Sequence, residues 1–464
     1  MKKLLLLFIL FYSGAKAQVF TVDTIIKTGP LNKRINFVYL ADGYTAAEQA
    51  KFITDVININ NKLFNTIPFT EYKDYFNVFA IKVISNESGI KHASTAPDCP
   101  GVGTHPVSNP KNYFGTKFDV ANIHRLVVPD SFAKVNAVLA ANFPEYDQVM
   151  VVGNTSFYGG SGGALATSTT HTSAAEIMIH EIGHSFASLA DEYWAGIQYA
   201  TEKPNMTAQS DPLLVKWKNW IGSPGIGVFA HSGSPLWFKP TTGGTCKMEV
   251  LNPAFCRVCK ETFVERIHTL VSPIDSYIPS NAATLNISNT IGFKTNLLKP
   301  IPNTLNQTWF LDNVQQAATI DTFTILSGSI ANGNHTLRTT VVDNTSLSRA
   351  DNHLSLHTYN VLWNMSIATG VTEVQVFNAG LKLFPNPFAE NLVIQYKLSK
   401  PSSVAINLVT ANGKNIPLVQ EKKQMQGSYS STFSLNRYGL SAGVYTIVFI
   451  VNGQTIAREI IKLK

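Results

Sequence analysis

The sequence predicts an α/β domain followed by two all-β domains. Buried strands alternate with amphipathic helices between residues 35 and 153, which favours a sheet that is covered on both faces. The composition changes near residue 285, where short alternating runs rich in Thr, Asn and Val begin and predict a β-sandwich. A second set of hairpin-like strands occupies residues 379–464. A chain of 464 residues is too long for one core, so several domains are expected.

The first seventeen residues have the organisation of a secretory signal peptide. Two lysines precede an apolar run of about ten residues, which ends in an Ala-Lys-Ala cleavage site at residues 15–17. This run is too short to span a bilayer, which needs about 20 apolar residues. The mature chain is therefore expected to begin at Gln18, to be exported and to contain no transmembrane segment.

Charge and cysteine content limit the partners. The formal net charge is +7, but no run of Lys and Arg forms the clustered basic face that nucleic-acid binding needs, so no nucleic-acid partner is expected. The four cysteines are Cys99, Cys246, Cys256 and Cys259. Export permits disulfides, whereas the C-x-x-C pair would need two further ligands to hold a structural zinc ion. A local disulfide that involves Cys246 is the simpler prediction, and the pairing stays open.

The elements of the first domain follow from local patterns. Strands are predicted at 35–40, 76–84, 124–128 and 147–153, and helices at 45–67, 131–143, from 173 onwards and at 259–271. Thr45 with Glu48, and Ser173 with Glu176, match the capping box that opens a helix. The stretch 195–245 is rich in Gly, Pro and aromatic residues and shows little periodicity.

The stretch HEIGHSFASLADEYW, residues 180–194, carries the chemistry. His180 and His184 are one helical turn apart, about 6 Å of rise, so both imidazoles can reach one zinc ion at about 2.1 Å. Glu181 lies beside them and can act as a general base on a water molecule. The rest of the helix is apolar, and three such polar side chains are costly there unless they are paired or bind a metal. The motif therefore predicts a zinc site.

The third ligand must come from beyond the helix. In an unbroken helix Asp191 would lie about 16 Å along the axis from His180, too far to bind the same ion. The chain must therefore turn back after about Ser188, in a region that has no glycine to ease the turn. Asp191 is preferred as the ligand, and Glu192 is the alternative ligand or a hydrogen-bond partner of a histidine.

Together with VYLADGYT upstream and GGTCKMEVLNPAFCRVC downstream, this motif resembles the bacterial IgA-peptidase family of zinc metallopeptidases. The resemblance implies a metzincin-like α/β zinc peptidase domain. The site residues that it implies are the zinc ligands His180, His184 and Asp191 and the catalytic base Glu181. It also implies that Met248 belongs to a methionine turn beneath the zinc. Two features depart from the broader metzincin pattern: Ala187 replaces a glycine, and the aspartate falls one position late.

In that architecture the glycine-rich YGGSGGALATS would form an edge strand and loop beside the cleft, to which an extended peptide could add. Zinc would polarise the scissile carbonyl, and Glu181 would pass a proton from the zinc-bound water to the leaving amine. The candidates for oxyanion or substrate binding are Tyr158, Tyr193 and His231, which the sequence does not separate. The expected function is that of a secreted zinc endopeptidase, a monomer that acts on proteins or peptides.

The tail, with LFPNPF, a strand-rich middle and LSAGVYTIVF, resembles the C-terminal sorting domain of type IX secretion. It implies a Bacteroidetes-type cell and passage through the periplasm and outer membrane by the type IX machinery, to the medium or the cell surface. The predicted domains are a signal peptide (1–17), a zinc metallopeptidase domain (18–285), a β-sandwich domain (286–378) and the sorting domain (379–464).

Two other functions fit parts of the sequence. GGSGG at 159–163 matches the G-x-S-x-G of serine hydrolases, but that site needs a strand directly before Ser161 and a helix directly after it, and neither is predicted. The main alternative is a surface-exposed binding or adhesion protein with an inactive peptidase-like domain. Glu181 argues against it, because a catalytic base is easily lost from an inactive homologue.

Overall fold

The computed structural model describes residues 18–318, 321–326, 328–367 and 380–463, and the predicted signal peptide lies outside them. The chain divides into two compact units, Met1–Ile367 and Ala368–Lys464. The part of the chain that the structure describes is mostly sheet. It contains no helix that is long and apolar enough to cross a membrane.

The first unit opens with a six-stranded sheet. Its strands are β1 (Val22–Ile26), β2 (Ile35–Asp42), β3 (Phe76–Ile81), β4 (Gln148–Gly153), β5 (Gly160–Ser161) and β6 (Ala166–Ser168). They lie in the order β1-β3-β2-β4-β6-β5, with antiparallel pairing at the two edge strands and parallel pairing elsewhere. The strands β2, β3 and β4 are buried along their whole length, as expected for parallel strands that are covered on both faces.

Four helices accompany this sheet: α1 (Gln49–Leu63), α2 (Phe132–Asn142), α3 (Ala174–Ser185) and α4 (Arg257–Leu270). The predicted capping box before α1 is present, since Thr45 N donates to Glu48 Oε2 at 2.9 Å. α1 buries Phe52, Val56 and Leu63 in the core that it shares with the sheet and with α3. The central strands and the helices of this region therefore lie where the periodicity of apolar residues predicts them.

The strand predicted at 124–128 is wrong. The segment makes only isolated bridges, one of them between Leu126 and Gly160. Gly160 N donates to Arg125 O at 3.0 Å, and Val127 N donates to Gly160 O at 3.2 Å. The neighbouring strand β5 is two residues long, so the segment has no ladder along which to extend.

The capping box predicted at Ser173 is also wrong, although α3 starts where it was expected. The Ser173 side chain makes no capping hydrogen bond. Glu176, the second half of the box, instead pairs with Lys62 Nζ at 2.9 Å and with Lys247 Nζ. Two lysine partners from distant segments therefore take the carboxylate that the local pattern assigned to the cap.

The rest of the first unit is β-rich. A hairpin, β7 (Phe229–His231) and β8 (Ser234–Lys239), precedes α4. The later strands are β9 (Ile274–Ile278), β10 (Leu285–Ile287), β11 (Ile291–Leu297), β12 (Leu305–Leu311), β13 (Val314–Ala318), β14 (Thr322–Ile325), β15 (Gly333–Asp343) and β16 (Thr358–Ile367), with α5 (His353–Leu356) between the last two.

These strands form two sheets, β10-β16-β15-β12-β13 and β14-β11-β9, which resemble a β-sandwich. Phe293 of the smaller sheet and Trp309 and Trp363 of the larger one belong to one buried cluster. Because β9 pairs with β11, strands of this sandwich begin before residue 286, the boundary expected from composition.

A buried polar cluster joins α4 to the sandwich. Asp343 Oδ2 lies 2.9 Å from His268 Nε2 and accepts a hydrogen bond from Tyr72 OH at 2.7 Å. Tyr359 OH donates to His268 O at 3.0 Å. The sandwich is thus attached to the region that carries the HExxH helix by buried hydrogen bonds as well as by apolar contacts.

The second unit is all-β. Its strands are β17 (Lys382–Phe384), β18 (Asn391–Leu398), β19 (Ser402–Val409), β20 (Asn415–Gln424), β21 (Gly427–Ser434), β22 (Gly443–Val451) and β23 (Gln454–Lys462). They form a three-stranded sheet, β17-β18-β21, and a four-stranded sheet, β20-β19-β22-β23. Alternate residues of β18 and β22 are buried, the pattern of strands with one face on a core.

Candidate active site

Helix α3 places the HExxH residues at a cleft. Its apolar side chains, among them Met178, Ile179 and Ile182, are fully buried in the core of the first unit. The opposite part of the helix lines a cleft of about 990 Å³. Four residues predicted from the motif are among the cleft lining: His180, Glu181, His184 and Asp191.

Three potential metal ligands converge in this cleft. His180 Nε2 and His184 Nε2 are 3.2 Å apart. Asp191 Oδ1 lies 3.1 Å from His180 Nε2 and 3.2 Å from His184 Nε2. Tetrahedral zinc with ligand atoms at about 2.1 Å separates those atoms by about 3.4 Å. The residues present therefore fit a zinc ion.

The other ring nitrogens fix the orientation of both histidines. His180 Nδ1 lies 2.8 Å from Lys247 O, and His184 Nδ1 lies 2.8 Å from Leu189 O. Each Nδ1 is therefore the N–H donor to a carbonyl, which leaves the Nε2 lone pairs directed at one another and at the carboxylate of Asp191. Three acceptors that face each other need a shared proton or a cation.

The protein groups alone already respond to this proximity. Burial by itself would lower the pKa of His184, but the hydrogen bond with Asp191 and the negative charges of Asp191 and Glu181 together outweigh burial and raise the pKa to about 9. Burial likewise opposes ionisation of Asp191, yet hydrogen bonds from His180 and His184 hold its pKa below the ordinary range. The ionised carboxylate of Asp191 therefore lies next to both imidazoles.

The turn that delivers Asp191 is made without glycine. Ser188 takes the left-handed conformation with φ of 55°. Leu189 N then donates to Gly183 O at 2.9 Å, and Ala190 N donates to Asn205 Oδ1 at 2.7 Å. The predicted reversal after about Ser188 is present, and Ser188 takes the left-handed conformation that a glycine would adopt more easily.

Glu181 lies beside the two histidines, with Oε2 3.9 Å from His184 Nε2. Burial raises its pKa. A methyl group at Gly162 would lie 2.9 Å from Glu181 Oε2. Only glycine therefore leaves room for the carboxylate beside the backbone that follows β5. The glutamate is thus held at the cleft in a position suited to a general base.

Met248 is completely buried under α3. A methyl group at Gly183 would lie 2.6 Å from Met248 Sδ, so the sulfur packs directly against the helix between the two histidines. Met248 O accepts a hydrogen bond from Glu192 N at 2.7 Å. The structure places Met248 where the resemblance expects the methionine of the turn, and that role remains a prediction.

Glu192 points away from the histidines. Its Oε1 lies 3.2 Å from Asn205 Nδ2 and 3.3 Å from Cys259 Sγ. The predicted disulfide involving Cys246 is not formed: all four cysteines are free, and Cys246 Sγ lies 3.7 Å from Cys259 Sγ. The sulfur atoms of Cys246, Cys256 and Cys259 lie close together around Glu192 instead of pairing.

The predicted oxyanion and substrate residues separate into two groups. Tyr158 and Tyr193 line the cleft. His231 is buried beside Trp194, with ring centroids 5.7 Å apart, and does not belong to the cleft lining. Arg125, which sequence reasoning missed, also lines the cleft, where its positive charge interacts with Tyr193. The sequence pattern predicts a strand at 124–128, and such a pattern does not indicate that Arg125 is exposed at the cleft.

The glycine-rich edge is partly covered. Both backbone groups of Gly160 that face outward are bonded to the segment 125–127. A substrate strand therefore has no free hydrogen-bonding groups at Gly160 and would have to pair elsewhere along the cleft. Ser161 Oγ donates to Val127 O at 2.5 Å, which occupies the hydroxyl that a serine hydrolase would need as its nucleophile.

Residues 24–227 match the family model described as IgA Peptidase M64. The resemblance to this peptidase family is confirmed. Residues 382–463 match the secretion system C-terminal sorting domain, which indicates secretion or cell-surface localisation. The peptidase match includes the HExxH helix and ends before Met248 and the cysteines of residues 246–259. A search of the curated proteins found no match.

Three solved structures with partial similarity are distant. Fibronectin(III)-like modules of Clostridium thermocellum CbhA have 13% identity and a TM-score of 0.18, over 40% of this chain and 90% of theirs. The glucan-utilisation protein SGBP-B of Bacteroides ovatus has 12% identity and a TM-score of 0.14, over 41% and 48%. The YadV chaperone has 12% identity and a TM-score of 0.13, over 39% and 97%.

Proposed function

We propose that this chain is a secreted zinc-dependent endopeptidase. The observation that carries the proposal is the convergence of His180 Nε2, His184 Nε2 and Asp191 Oδ1 within 3.2 Å of one another, next to Glu181 and in a cleft of about 990 Å³. The match to a peptidase family and the sorting domain support a peptidase that leaves the cell.

His180, His184 and Asp191 would hold the zinc ion. When bound, zinc supplies a Lewis acid that polarises the scissile carbonyl and makes water a stronger nucleophile near neutral pH. The backbone carbonyls of Lys247 and Leu189 keep both imidazoles in the tautomer with Nε2 free. Met248 and Asn205 support the two segments that deliver the ligands, from below α3 and from behind the turn.

Glu181 is the proposed general base and acid. It takes a proton from the attacking water and passes it to the leaving amine, a role that contributes about 10²–10⁴ in rate for a well-placed group. Burial raises the pKa of Glu181, which brings the carboxyl closer to the pH at which it can both accept and return a proton. Tyr193 and Tyr158 are the proposed hydrogen-bond donors at the cleft that stabilise the developing oxyanion.

The direct test exchanges Glu181 for Gln in the mature chain. We expect peptidase turnover to fall by at least about 10²-fold, because the proton acceptor is lost, while the zinc content stays that of the wild type, because no ligand is removed. Glu87→Gln, at an exposed glutamate far along the chain, is the matched control and should keep full turnover. Wild-type turnover in the Glu181 variant would contradict the mechanism.

The alternative function is a surface-exposed binding or adhesion protein with an inactive peptidase-like domain. In that case the wild-type protein would show no turnover on any denatured protein substrate, whether or not it contains zinc. The type IX machinery would handle the sorting domain in either case. That the protein acts as a monomer stays a prediction from the sequence.

A further inference from the structure

A second group of metal-ligating side chains lies apart from the cleft. It consists of Cys246, Cys256, Cys259 and Glu192, and one ligand atom from each lies within 4.8 Å of the others. None of the four lines the cleft that contains the HExxH residues. The three cysteines also fall outside the part of the chain that matches the peptidase family.

The distances are those of ligands around one tetrahedral ion. Zinc with thiolates at about 2.3 Å and a carboxylate oxygen at about 2.0 Å separates two sulfurs by about 3.8 Å, and sulfur from oxygen by about 3.5 Å. Cys246 Sγ lies 3.7 Å from Cys259 Sγ. Glu192 Oε1 lies 3.3 Å from Cys259 Sγ and 3.9 Å from Cys256 Sγ. A disulfide would bring two of the sulfurs to about 2.05 Å.

The start of α4 and one backbone amide face the sulfur atoms. Cys256 and Cys259 lie at the N-terminal end of α4, where the helix dipole stabilises negative charge. Cys256 N lies 3.4 Å from Cys246 Sγ, the arrangement of an amide that donates to a metal-bound thiolate. These backbone contacts prepare sulfur for binding a metal rather than for apolar packing.

The buried carboxylate of Glu192 needs a cation. Its side chain is completely shielded from solvent, and its hydrogen-bond partners besides the thiols of Cys256 and Cys259 are the neutral side chains of Asn205 and Thr241. Lys239 Nζ, the nearby ammonium, donates to the backbone oxygen of Glu192 and to the carboxylate of Glu249. A buried carboxylate is costly without a bound or paired cation, and an ion among the thiols would supply one.

We propose that Cys246, Cys256, Cys259 and Glu192 bind one Zn²⁺ ion in a closed structural site. Thiolate-rich sets of this kind select zinc among the common divalent ions, and four protein ligands leave no open position for a substrate. The ion would tie together the chain after α3, the loop that carries Met248 and the start of α4. Because Glu192 follows Asp191 directly, the ion also acts as a positioning element for that side chain.

The first test counts thiols in the mature full-length protein. The protein is unfolded anaerobically in guanidinium with a chelator and without reductant, and its cysteines are alkylated and weighed by mass spectrometry. The proposed site predicts four alkylated cysteines, since all four are thiols. Two alkylated cysteines would mean a disulfide and would overturn the proposal. This count needs no variant, so misfolding cannot obscure it.

The second test measures zinc in variants by elemental analysis. Cys256→Ser and Glu192→Gln should each lower zinc by one equivalent per chain, and Cys256→Ser should also remove the near-ultraviolet sulfur-to-metal absorption of the Co²⁺-substituted protein. Cys99→Ser is the matched control, because Cys99 lies in a separate group with His92. Cys99→Ser should keep the zinc equivalent of the proposed site and its sulfur-to-metal absorption in the Co²⁺-substituted protein.

The same measurement separates this site from the proposed active site. His180→Ala should lose peptidase activity but keep the sulfur-to-metal absorption, because its ligand set contains no sulfur. Unchanged zinc in both Cys256→Ser and Glu192→Gln would overturn the cysteine site and leave the proposed peptidase function standing. If His180→Ala lowers the zinc content and neither Cys256→Ser nor Glu192→Gln does, the cysteine site is likewise overturned and the proposed peptidase function stands.

Discussion

At the residue scale, the histidines and the glutamate of the candidate site could be predicted, because the helical period fixes their relation locally. Asp191 could be preferred because an unbroken helix would carry it out of reach of His180. The surroundings of Glu192 could not be predicted, since Cys246 and Cys259 lie more than fifty residues further along the chain. Long-range contacts of this kind leave no local periodicity in a sequence.

The conformation of Ser188 leads to a stability prediction. An L-residue in the left-handed region costs about 1–2 kcal/mol, and a β-branched side chain is the least tolerated there. We therefore expect Ser188→Val to lower the free energy of unfolding by about 1–2 kcal/mol relative to Ser188→Gly, measured by urea denaturation. Ser188→Ala should fall between them. Equal stability of the valine and glycine variants would contradict the assigned turn.

At the element scale, long periodic helices and the fully buried central strands were predicted, because their signals lie within the element itself. The edge of the sheet was not. The sequence does not predict β1, and it wrongly predicts a strand at 124–128, because the structure of an edge segment depends on the partner that pairs with it. The capping box predicted for α3 is wrong for a similar reason, because Lys62 and Lys247 reach Glu176 from distant parts of the chain.

The contact between α3 and the Met248 loop can be tested by paired substitutions. Gly183→Ala places a methyl group 2.6 Å from Met248 Sδ in a buried site, so we expect a loss of about 1–3 kcal/mol in the free energy of unfolding. Met248→Val removes the atoms that clash. The double variant should therefore be more stable than the sum of the two single changes predicts. Additive losses would show that the two residues do not touch.

At the scale of the whole molecule, composition predicted that β-rich regions follow the first α/β region. It could not predict how α4 joins the sandwich, because the partners of Asp343 come from residues 72, 268 and 304. Nor could it place β9 within the sandwich. A sheet takes its members from wherever pairing is available, and composition marks only the average character of a segment.

The buried cluster of Asp343 predicts a pH-dependent stability. Burial opposes its ionisation, but the hydrogen bonds with His268, Thr304 and Tyr72 and the charge of His268 together outweigh burial and lower its pKa. Its stabilising effect is therefore complete above the unfolded pKa of about 3.9 and is lost as the pH falls through the lower folded value. Asp343→Asn should cost about 3–5 kcal/mol at pH 7, as expected when one partner of a buried pair is removed.

This difference should shrink as the pH is lowered from 7 to 3, because the unfolded wild type takes up a proton at Asp343 before the folded protein does. Urea denaturation of both proteins across that range measures it. Asp351→Asn, at a side chain 66% exposed, is the control and should change stability by less than about 0.5 kcal/mol. A gap between Asp343→Asn and wild type that stays constant down to pH 3 would show that the carboxylate charge is not what stabilises the joint.

The central claim is that His180, His184 and Asp191 hold a zinc ion, and elemental analysis of the mature protein beside His180→Ala tests it most directly. The account predicts that the variant contains one equivalent of zinc less than the wild type and has no peptidase activity. Circular dichroism of both proteins shows whether the variant is folded. A folded His180→Ala variant with the zinc content of the wild type would contradict the account.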